Sequence, residues 1–295
     1  MERGLFIYNP SAGNRSMKDS LDNVFQRFQE KNVLIQPFRF DGKVYSRILR
    51  AIKQGDFSFI VASGGDGTIN SIANLILKNK IELPFGIIPS GTCNDFARSI
   101  NISNNLNESI DTILERKTIN VDVGLINNDL YFLSSFSGSY FVNVSFNTHN
   151  ELKKNFGPMA YYLKALSEIR NIKSFKIYVK TDNEVFEEEV LIFIVLNGGH
   201  AAGFNNLVKE ADVTDGLMDV ILVKKCNHLD MAGILFKILS NDSIDSPYVK
   251  IVKTKNCFIE TDSDIDTSMD GEQGTNLPAD ITFKEKALKV FSPGS

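Results

Sequence analysis

The 295-residue chain has few of the residues that mark several common protein classes. It holds three cysteines and three histidines, and its 32 lysines and arginines are outnumbered by 36 aspartates and glutamates. Because the cysteines are odd in number and far apart, neither a disulfide framework nor a zinc knuckle is indicated, and a reducing compartment is expected. A net charge of −4 gives no electrostatic footprint for duplex nucleic acid, so no nucleic-acid partner is expected.

Long apolar runs are also missing. The longest, VLIFIVL, has seven residues from Val190 to Leu196, which is about a third of what a membrane-spanning helix needs. The first residues, MERGLFIYNPSAG, contain a four-residue apolar run before polar turn residues, too short for the core of a secretory signal. We therefore predict a soluble, cytoplasmic protein that touches membranes only peripherally.

The signatures of several enzyme classes are absent as well. The chain has no G-x-x-x-x-G-K-[ST] loop, no G-x-G-x-x-G after its first strand and neither the catalytic-loop nor the metal-binding motif of protein kinases. Its three histidines, without an H-E-x-x-H motif, support neither a zinc protease nor a serine hydrolase triad. These absences remove the common competing nucleotide-binding motifs.

Up to about residue 120, short apolar runs alternate with helical periodicity. The runs LFIY, FSFIVA and FGII predict strands. Apolar residues at steps of three and four predict helices after the first two, and a short helix is predicted after Asn94. This order is typical of βα units around a parallel sheet. We predict an α/β domain over residues 1–121.

From residue 122 onward, β-branched and aromatic residues predict strands. The predicted strands lie in the segments KIYVKTDNEVFEEEVLIFIVL, LMDVILVKK, KNCFIET and ADITFKEKALKVF, and helices are predicted near Met159 to Ile169 and Met231 to Leu239. We therefore predict a β-rich second domain over residues 122–295.

Three glycine-bearing turns each follow a predicted strand and precede a predicted helix. They are NPSAGN (Asn9 to Asn14), SGGDGT (Ser63 to Thr68) and PSGTCND (Pro89 to Asp95). In an open parallel sheet such turns gather at the carboxyl edge, where ligands bind. Glycine lets backbone amides approach a phosphate closely, and the following helix N-terminus adds partial positive charge. The three turns together predict a phosphate-binding site.

One acid, Asp66, stands among the glycines of the second turn. A carboxylate facing phosphate oxygens is repelled, by roughly 1 kcal/mol at 4 Å in water and several-fold more in a partly buried cleft, unless a divalent cation lies between them. Magnesium is the natural cation, and Asp95 could bind the same ion or a water on it. A role as turn acid or helix cap is the alternative for Asp66.

These motifs resemble those of diacylglycerol kinases, sphingosine kinases and their bacterial soluble relatives. The series occurs in the family's order: NPSAG, SGGDGTIN, PSGTCNDFAR, VDVG, GPMAYYLKAL, DGLMDV and MDGE. The glycine-aspartate-glycine core is shared with NAD kinases and phosphofructokinases, so the whole series carries the resemblance. It implies an N-terminal Rossmann-like α/β nucleotide-binding domain and a C-terminal β-sandwich that binds lipid, with the active site in the cleft between them.

The resemblance also implies ATP- and Mg²⁺-dependent phosphorylation of a lipid hydroxyl, with conversion of diacylglycerol to phosphatidate as the leading candidate. Asp66, Asp95 and Asp122 match the family's acids that organise magnesium, largely through waters. The residues implied around the nucleotide are Asn9, Ser11, Gly13, Gly64, Gly65, Gly67, Thr68, Gly91 and Thr92.

Two further segments have implied roles. Glu272 matches the acid proposed as general base, with Asp270 as the fallback, whereas a plain β-turn is the alternative for this segment. In some bacterial relatives the loop matching TDGLMDV holds a structural magnesium, which here implies Asp212, Asp215 and Leu217 as ligands. A tight turn leading into a strand is the alternative.

A soluble kinase that acts on a lipid needs a transient peripheral contact with the membrane. Lysine pairs could supply it at about 1 kcal/mol per lysine near an anionic surface, although ordinary solvated faces are the alternative. The pairs are Lys153 with Lys154, Lys173 with Lys176, and Lys224 with Lys225.

The expected partners are ATP and a lipid alcohol. The sequence leaves the oligomeric state open between a monomer and a homodimer. A kinase for a soluble substrate such as NAD and a catalytically silent nucleotide-binding regulatory protein are the two rival functions.

Overall fold

The structure, a computed structural model, describes residues 1–12, 17–140, 173–204, 207–240, 242 and 244–293. It divides into two compact units. Unit 1 comprises Met1–Val121 with Lys286–Ser295, and unit 2 comprises Asp122–Glu285. The predicted second domain therefore differs from unit 2 at its end, because the last ten residues of the chain group with unit 1.

Unit 1 alternates strands and helices. Its elements are β1 (Glu2–Tyr8), α1 (Met17–Glu30), β2 (Val33–Arg39), α2 (Tyr45–Gln54), β3 (Phe59–Gly64), α3 (Asp66–Lys78), β4 (Phe85–Pro89), α4 (Asp95–Ser99) and α5 (Leu106–Leu114). The strands form a parallel sheet in the order β2-β1-β3-β4. The predicted βα organisation is confirmed.

The chain passes from unit 1 to unit 2 within β5 and returns within β15, and most of the remaining elements belong to unit 2. They are β5 (Thr118–Ile126), β6 (Leu130–Phe132), β7 (Ser135–Ser139), β8 (Phe175–Thr181), β9 (Val185–Leu196), β10 (Met218–Lys224), α6 (His228–Leu239), β11 (Val249–Thr254), β12 (Asn256–Glu260), β13 (Asp266–Met269), β14 (Glu272–Gln273) and β15 (Ala279–Phe291). At the far end of β15, Val290 pairs in parallel with Phe85 of β4.

Unit 1 is held together by the buried strands of its sheet. Every residue of β3 and β4 is buried, as expected for strands covered on both faces. Phe59 stacks on Phe28, and its ring edge contacts Phe291 near the end of the chain. The guanidinium carbon of Arg116 lies 4.2 Å from the centre of the Phe59 ring, a cation–π contact.

In unit 2 the sheet is mostly antiparallel, in the order β14-β13-β7-β9-β8-β12-β15, with β10 on β9 and β11 on β10. Residues of β9 enter two separate apolar clusters. Phe193 and Val195 belong to one, and Leu191 and Leu196 belong to the other, with Ile234 of α6. Burial on both faces explains why VLIFIVL is a continuous apolar run.

The predicted helix near Met159 to Ile169 lies outside the described residues. Within the described ranges, no helix is long and apolar enough to cross a bilayer.

Candidate active site

The three strands that precede the glycine turns end side by side. Tyr8 at the end of β1 is opposite Ser63 of β3, and Gly64 of β3 is opposite Pro89 of β4. The N–H of Asn9 donates to the carbonyl of Ser63 at 2.9 Å, which continues the pairing into the first turn. The three turns therefore meet at one edge of the sheet, where ligands bind in open α/β sheets.

The second and third turns touch through their backbones. A Cβ placed on Gly91 would lie 2.5 Å from the Cα of Gly65 and 2.8 Å from Asn94 Oδ1, and a Cβ on Gly65 would lie 3.1 Å from the Cα of Gly91. A side chain at Gly91 would therefore have to push backbone away. This close approach is the physical reason for glycine at both positions.

Asp66 is the first residue of α3 and joins the same two turns. Its Oδ2 accepts the N–H of Asn94 at 2.8 Å. Asn94 has a left-handed backbone (φ 54°) just before α4, and its Oδ1 accepts the N–H of Gly91 at 2.9 Å. This hydrogen bond joins residues 28 apart and links two turns, and the N-cap of α3 is Gly65. The turn-acid or helix-cap alternative and the role of Asp66 toward magnesium both stay predictions.

Asn9 links the first turn to α3. Its Oδ1 accepts the N–H of Ser11 at 2.9 Å, and its Nδ2 donates to Thr68 Oγ1 at 3.1 Å. One side chain thereby sets the distance between two of the turns.

The structure places most of the predicted nucleotide residues on these turns. Gly13 lies outside the described residues. Asp95 begins α4 and is 7% exposed. The residues predicted to contact the nucleotide or its magnesium that lie at this edge of unit 1 are Asn9, Ser11, Gly64, Gly65, Asp66, Gly67, Thr68, Gly91, Thr92 and Asp95.

Asp122 lies in unit 2 and is fully buried. Its N–H donates to the carbonyl of Val213 at 2.8 Å, and its Oδ2 accepts the N–H of Gly216 at 2.7 Å. Asp122 therefore anchors the loop that contains the predicted structural-metal residues. Its participation with Asp66 and Asp95 in one magnesium site stays a prediction.

Asn197 is a residue that the sequence reasoning missed. It is fully buried, and its Nδ2 donates both to the carbonyl of Asp122 and to that of Leu133, each at 2.8 Å. Its own N–H donates to the carbonyl of Ser134 at 2.8 Å. In the sequence, Asn197 could have been recognised as a single amide residue at the end of the apolar strand VLIFIVL, directly before two glycines.

Asp270 is almost completely buried and accepts three backbone N–H groups. Leu133 donates at 2.7 Å to Oδ2, and Ser134 and Ser135 donate at 2.8 and 2.9 Å to Oδ1. Asp270 (φ 48°) and Gly271 (φ 82°) both have positive φ in the two-residue turn between β13 and β14, as in type I′ hairpins.

Glu272 follows this turn at the start of β14. Its side chain is exposed, and its carboxylate makes no hydrogen bond within the part of the chain that the structure describes. The carboxylate two residues earlier is engaged, whereas that of Glu272 faces solvent. The turn proposed as the alternative for this segment is present, and the catalytic role of Glu272 stays a prediction.

The loop that precedes β10 has its own local hydrogen bonds. Asp212 Oδ1 accepts the N–H and the hydroxyl of Thr214, both at 2.8 Å, and Asp215 Oδ1 accepts the N–H of Leu217 at 2.9 Å. Among the described residues, no three His, Cys, Asp or Glu side chains are grouped so that they could hold a metal ion. The tight turn considered for this loop is present.

Asp219 lies just beyond this loop, on β10, with its side chain 3% exposed. Desolvation raises the pKa of its carboxyl to about 6, against the opposing attraction of Lys253. Its Oδ1 has no hydrogen-bond partner within the described segments, whereas Oδ2 lies 4.0 Å from Lys253 Nζ.

Two lysines of the predicted membrane-contacting pairs form ion pairs. Lys224 contacts Glu188 and Lys225 contacts Glu189, each at 2.9 Å. Lys153 and Lys154 lie outside the described residues. Two of the predicted cations are therefore paired with carboxylates, and the membrane contact stays a prediction.

Both parts of the chain match family models. Residues 3–126 match the model described as the diacylglycerol kinase catalytic domain, and residues 141–292 match the YegS C-terminal NAD kinase beta sandwich-like domain. The predicted fold, an α/β nucleotide-binding domain followed by a β-sandwich, is confirmed.

Curated relatives and solved structures match almost the whole chain. A diacylglycerol kinase of Staphylococcus haemolyticus is 32% identical over 97% of this chain and 87% of its own length. One of Staphylococcus saprophyticus is 30% identical over 99% and 96%. A crystal structure from Bacillus anthracis str. Sterne superposes with a TM-score of 0.85 at 25% identity, covering 99% of this chain and 97% of that one. The chain belongs to the diacylglycerol kinase family.

Proposed function

We propose that this protein transfers the γ-phosphoryl group of ATP to the free hydroxyl of diacylglycerol, which forms phosphatidate and ADP. Family membership supports a kinase, and the names of the curated relatives support the lipid substrate. The geometry at the edge of unit 1 supports the nucleotide.

The close approach of Gly65 and Gly91 is the observation that carries this proposal. Adding a Cβ at Gly91 would fill the space between the two turns, and bare backbone of this kind lets N–H groups face phosphate oxygens. The residues on the turns therefore fit a triphosphate. We assign nucleotide binding to Asn9, Ser11, Gly13, Gly64, Gly65, Gly67, Thr68, Gly91 and Thr92.

The acids of the same edge fit a magnesium ion that accompanies ATP. Magnesium is commonly held by one or two carboxylates together with substrate phosphates, so a cage of three protein acids is not required. We assign this role to Asp66 and Asp95, with Asp122 as the third acid of the family pattern. When bound, the ion neutralises charge on the phosphates.

Glu272 is the better of the two candidate bases. Both oxygens of Asp270 already accept backbone N–H groups, so taking a proton there would break hydrogen bonds that hold a buried turn. The carboxylate of Glu272 is exposed and has no such commitment among the described residues. In the proposed step the lipid oxygen bonds to the γ-phosphorus, the bond to the β,γ-bridging oxygen breaks, and the hydroxyl proton passes to Glu272.

The direct test is a substrate panel with γ-labelled ATP and magnesium. Diacylglycerol, phosphatidylglycerol and a sphingoid base are offered in mixed micelles, and NAD is offered in solution. We expect label in phosphatidate, and we expect none with Asp66→Asn at matched magnesium. Nucleotide binding without transfer to any acceptor would support the silent regulatory protein instead.

A soluble substrate is the second candidate, because the model matching residues 141–292 is described as NAD kinase-like. Label in NAD in the absence of lipid would favour it. Label in phosphatidate with none in NAD would exclude it.

A further inference from the structure

Lys253 lies on β11, directly opposite Asp219 of β10 in the antiparallel pairing. Its Nζ donates to the carbonyl of Glu210 at 3.2 Å and to Asp215 Oδ2 at 3.3 Å, and it lies 4.0 Å from Asp219 Oδ2. The three oxygens come from the start of the loop, its middle and the strand after it. One ammonium group thus ties together the whole segment from Glu210 to Asp219.

The oxygens around Lys253 are of the kind that a hard cation selects. Two carboxylates and one backbone carbonyl could serve calcium or magnesium, and an ammonium with its three N–H donors can take the same set. A divalent ion and the ammonium of Lys253 cannot occupy this set of oxygens together, because their positive charges would face each other at short range.

The rest of the loop does not fit a divalent ion either. Asp212 Oδ1 is committed to Thr214, and Asp215 Oδ1 is committed to the N–H of Leu217. The remaining oxygen of Asp215 is the one that contacts Lys253. The set Asp212, Asp215 and Leu217, implied by the resemblance as metal ligands, therefore disagrees with the arrangement in this structure.

We propose that the ammonium of Lys253 is the resident cation of the Glu210–Asp219 loop and takes the place of a divalent metal ion there. The loop is then kept in position by a charge on the chain itself. The conformation of the loop is then independent of the magnesium concentration. The magnesium proposed at Asp66 is a separate ion, and this proposal does not change it.

The test measures the binding of Mg²⁺ and Ca²⁺ alone, without nucleotide, by calorimetric titration and by the shift in Tm. The full chain carries Lys253→Met, with Lys253→Arg to retain the charge. Lys255→Met is the matched control, since Lys255 lies two residues away and pairs with Glu285. Because no ATP or lipid is present, the result is independent of the proposed kinase activity.

We expect Lys253→Met to lower Tm without metal, to recover part of the loss on adding Mg²⁺ or Ca²⁺, and to bind the ion at least about tenfold more tightly than the wild type. Lys253→Arg and Lys255→Met should respond as the wild type does. Adding Asp215→Asn to Lys253→Met should remove the gain in affinity for the metal ion.

Two results would overturn the proposal. One is a wild-type protein whose Tm rises with Mg²⁺ or Ca²⁺ through a response that Asp215→Asn abolishes. The other is a folded Lys253→Met variant that gains no affinity for either ion. If Lys253→Met folds neither with nor without metal, the wild type is compared with Asp215→Asn instead. The absence of a metal response that depends on Asp215 then supports the ammonium of Lys253 as the cation of the loop.

Discussion

Carboxylates have different tasks in the two units. In unit 1, Asp66 lies on a half-exposed turn, and the sheet edge around it is built from the close backbone contact of Gly65 and Gly91. In unit 2, Asp270 is buried and accepts three backbone N–H groups from residues distant in the sequence. We expect replacement of the first kind of acid to affect turnover more than folding, and replacement of the second kind to destabilise the fold.

Replacing Asp66 gives the largest expected effect and tests the first half of this comparison. We expect Asp66→Ala to lower turnover at least about a hundredfold, because the charge that organises the cation is lost. The free energy of unfolding should fall by about 1 kcal/mol for the lost hydrogen bond from the N–H of Asn94. Initial rates at matched magnesium and urea unfolding measure the two quantities.

The matched control is Asp41→Ala, which removes another turn aspartate of unit 1 that accepts a nearby backbone N–H, that of Lys43. This variant should keep full activity. If Asp66→Ala also keeps its activity, Asp66 has no part in the mechanism.

The two acids of the β13–β14 turn sharpen the second half of the comparison. Asp270→Ala leaves three N–H groups without their acceptor, so we expect the free energy of unfolding to fall by at least about 3 kcal/mol. Glu272→Gln should change it by less than about 0.5 kcal/mol and still abolish turnover. Equal losses of stability in the two variants, measured by urea unfolding, would contradict the assignment of separate roles.

The glycine contact can be broken by a single methyl group. We expect Gly91→Ala to cost about 1–3 kcal/mol of unfolding free energy, since its Cβ would meet the Gly65 backbone, and to raise KM for ATP. The control is Gly233→Ala within α6, where a Cβ meets nothing within 4 Å. That change should stabilise the protein by about 0.5–1 kcal/mol. A Gly91→Ala variant with unchanged stability and KM would show that the two turns need not touch.

The smallest expected effect is a pH dependence from Asp219. Its folded-state pKa of about 6 lies above the ordinary value of 3.8, so the folded protein holds this proton more tightly. The stability that this group contributes is present below pH 3.8 and is lost as the pH rises to about 6. Urea unfolding across this range should show a flatter profile for Asp219→Asn than for the wild type.

Asp182→Asn is the opposite control. Hydrogen bonds, chiefly from Asn256, lower the pKa of Asp182 to about 2, so its contribution is lost only as the pH falls from 3.8 toward that value. Identical profiles for Asp219→Asn and the wild type would remove Asp219 from the account.

Much of unit 1 could be predicted because its signals are local. Short apolar runs and helical periodicity correctly predicted β1, β3 and β4 and the helices that follow them. Strand β2 was missed because it is an edge strand with few buried residues and a proline at position 37. Helix α2 was missed because only Ile48 and Ile52 give it a buried face.

The buried network of unit 2 could not be predicted in the same way. The contacts of Asn197 with Asp122 and Leu133 span 75 and 64 residues, and those of Asp270 span more than 130. No local period encodes such pairs, so the sequence did not indicate that Asp270, the fallback base, is a buried acceptor of three N–H groups. A polar residue within an apolar strand, as at Asn197, is the signal that a buried polar contact leaves in the sequence.

A crystal structure of the protein with magnesium and a non-hydrolysable ATP analogue tests the central claim most directly. The account predicts the triphosphate against the backbone of Gly65 and Gly91, with the ion on the side of Asp66 and Asp95. A nucleotide bound elsewhere, with this edge empty, would contradict it.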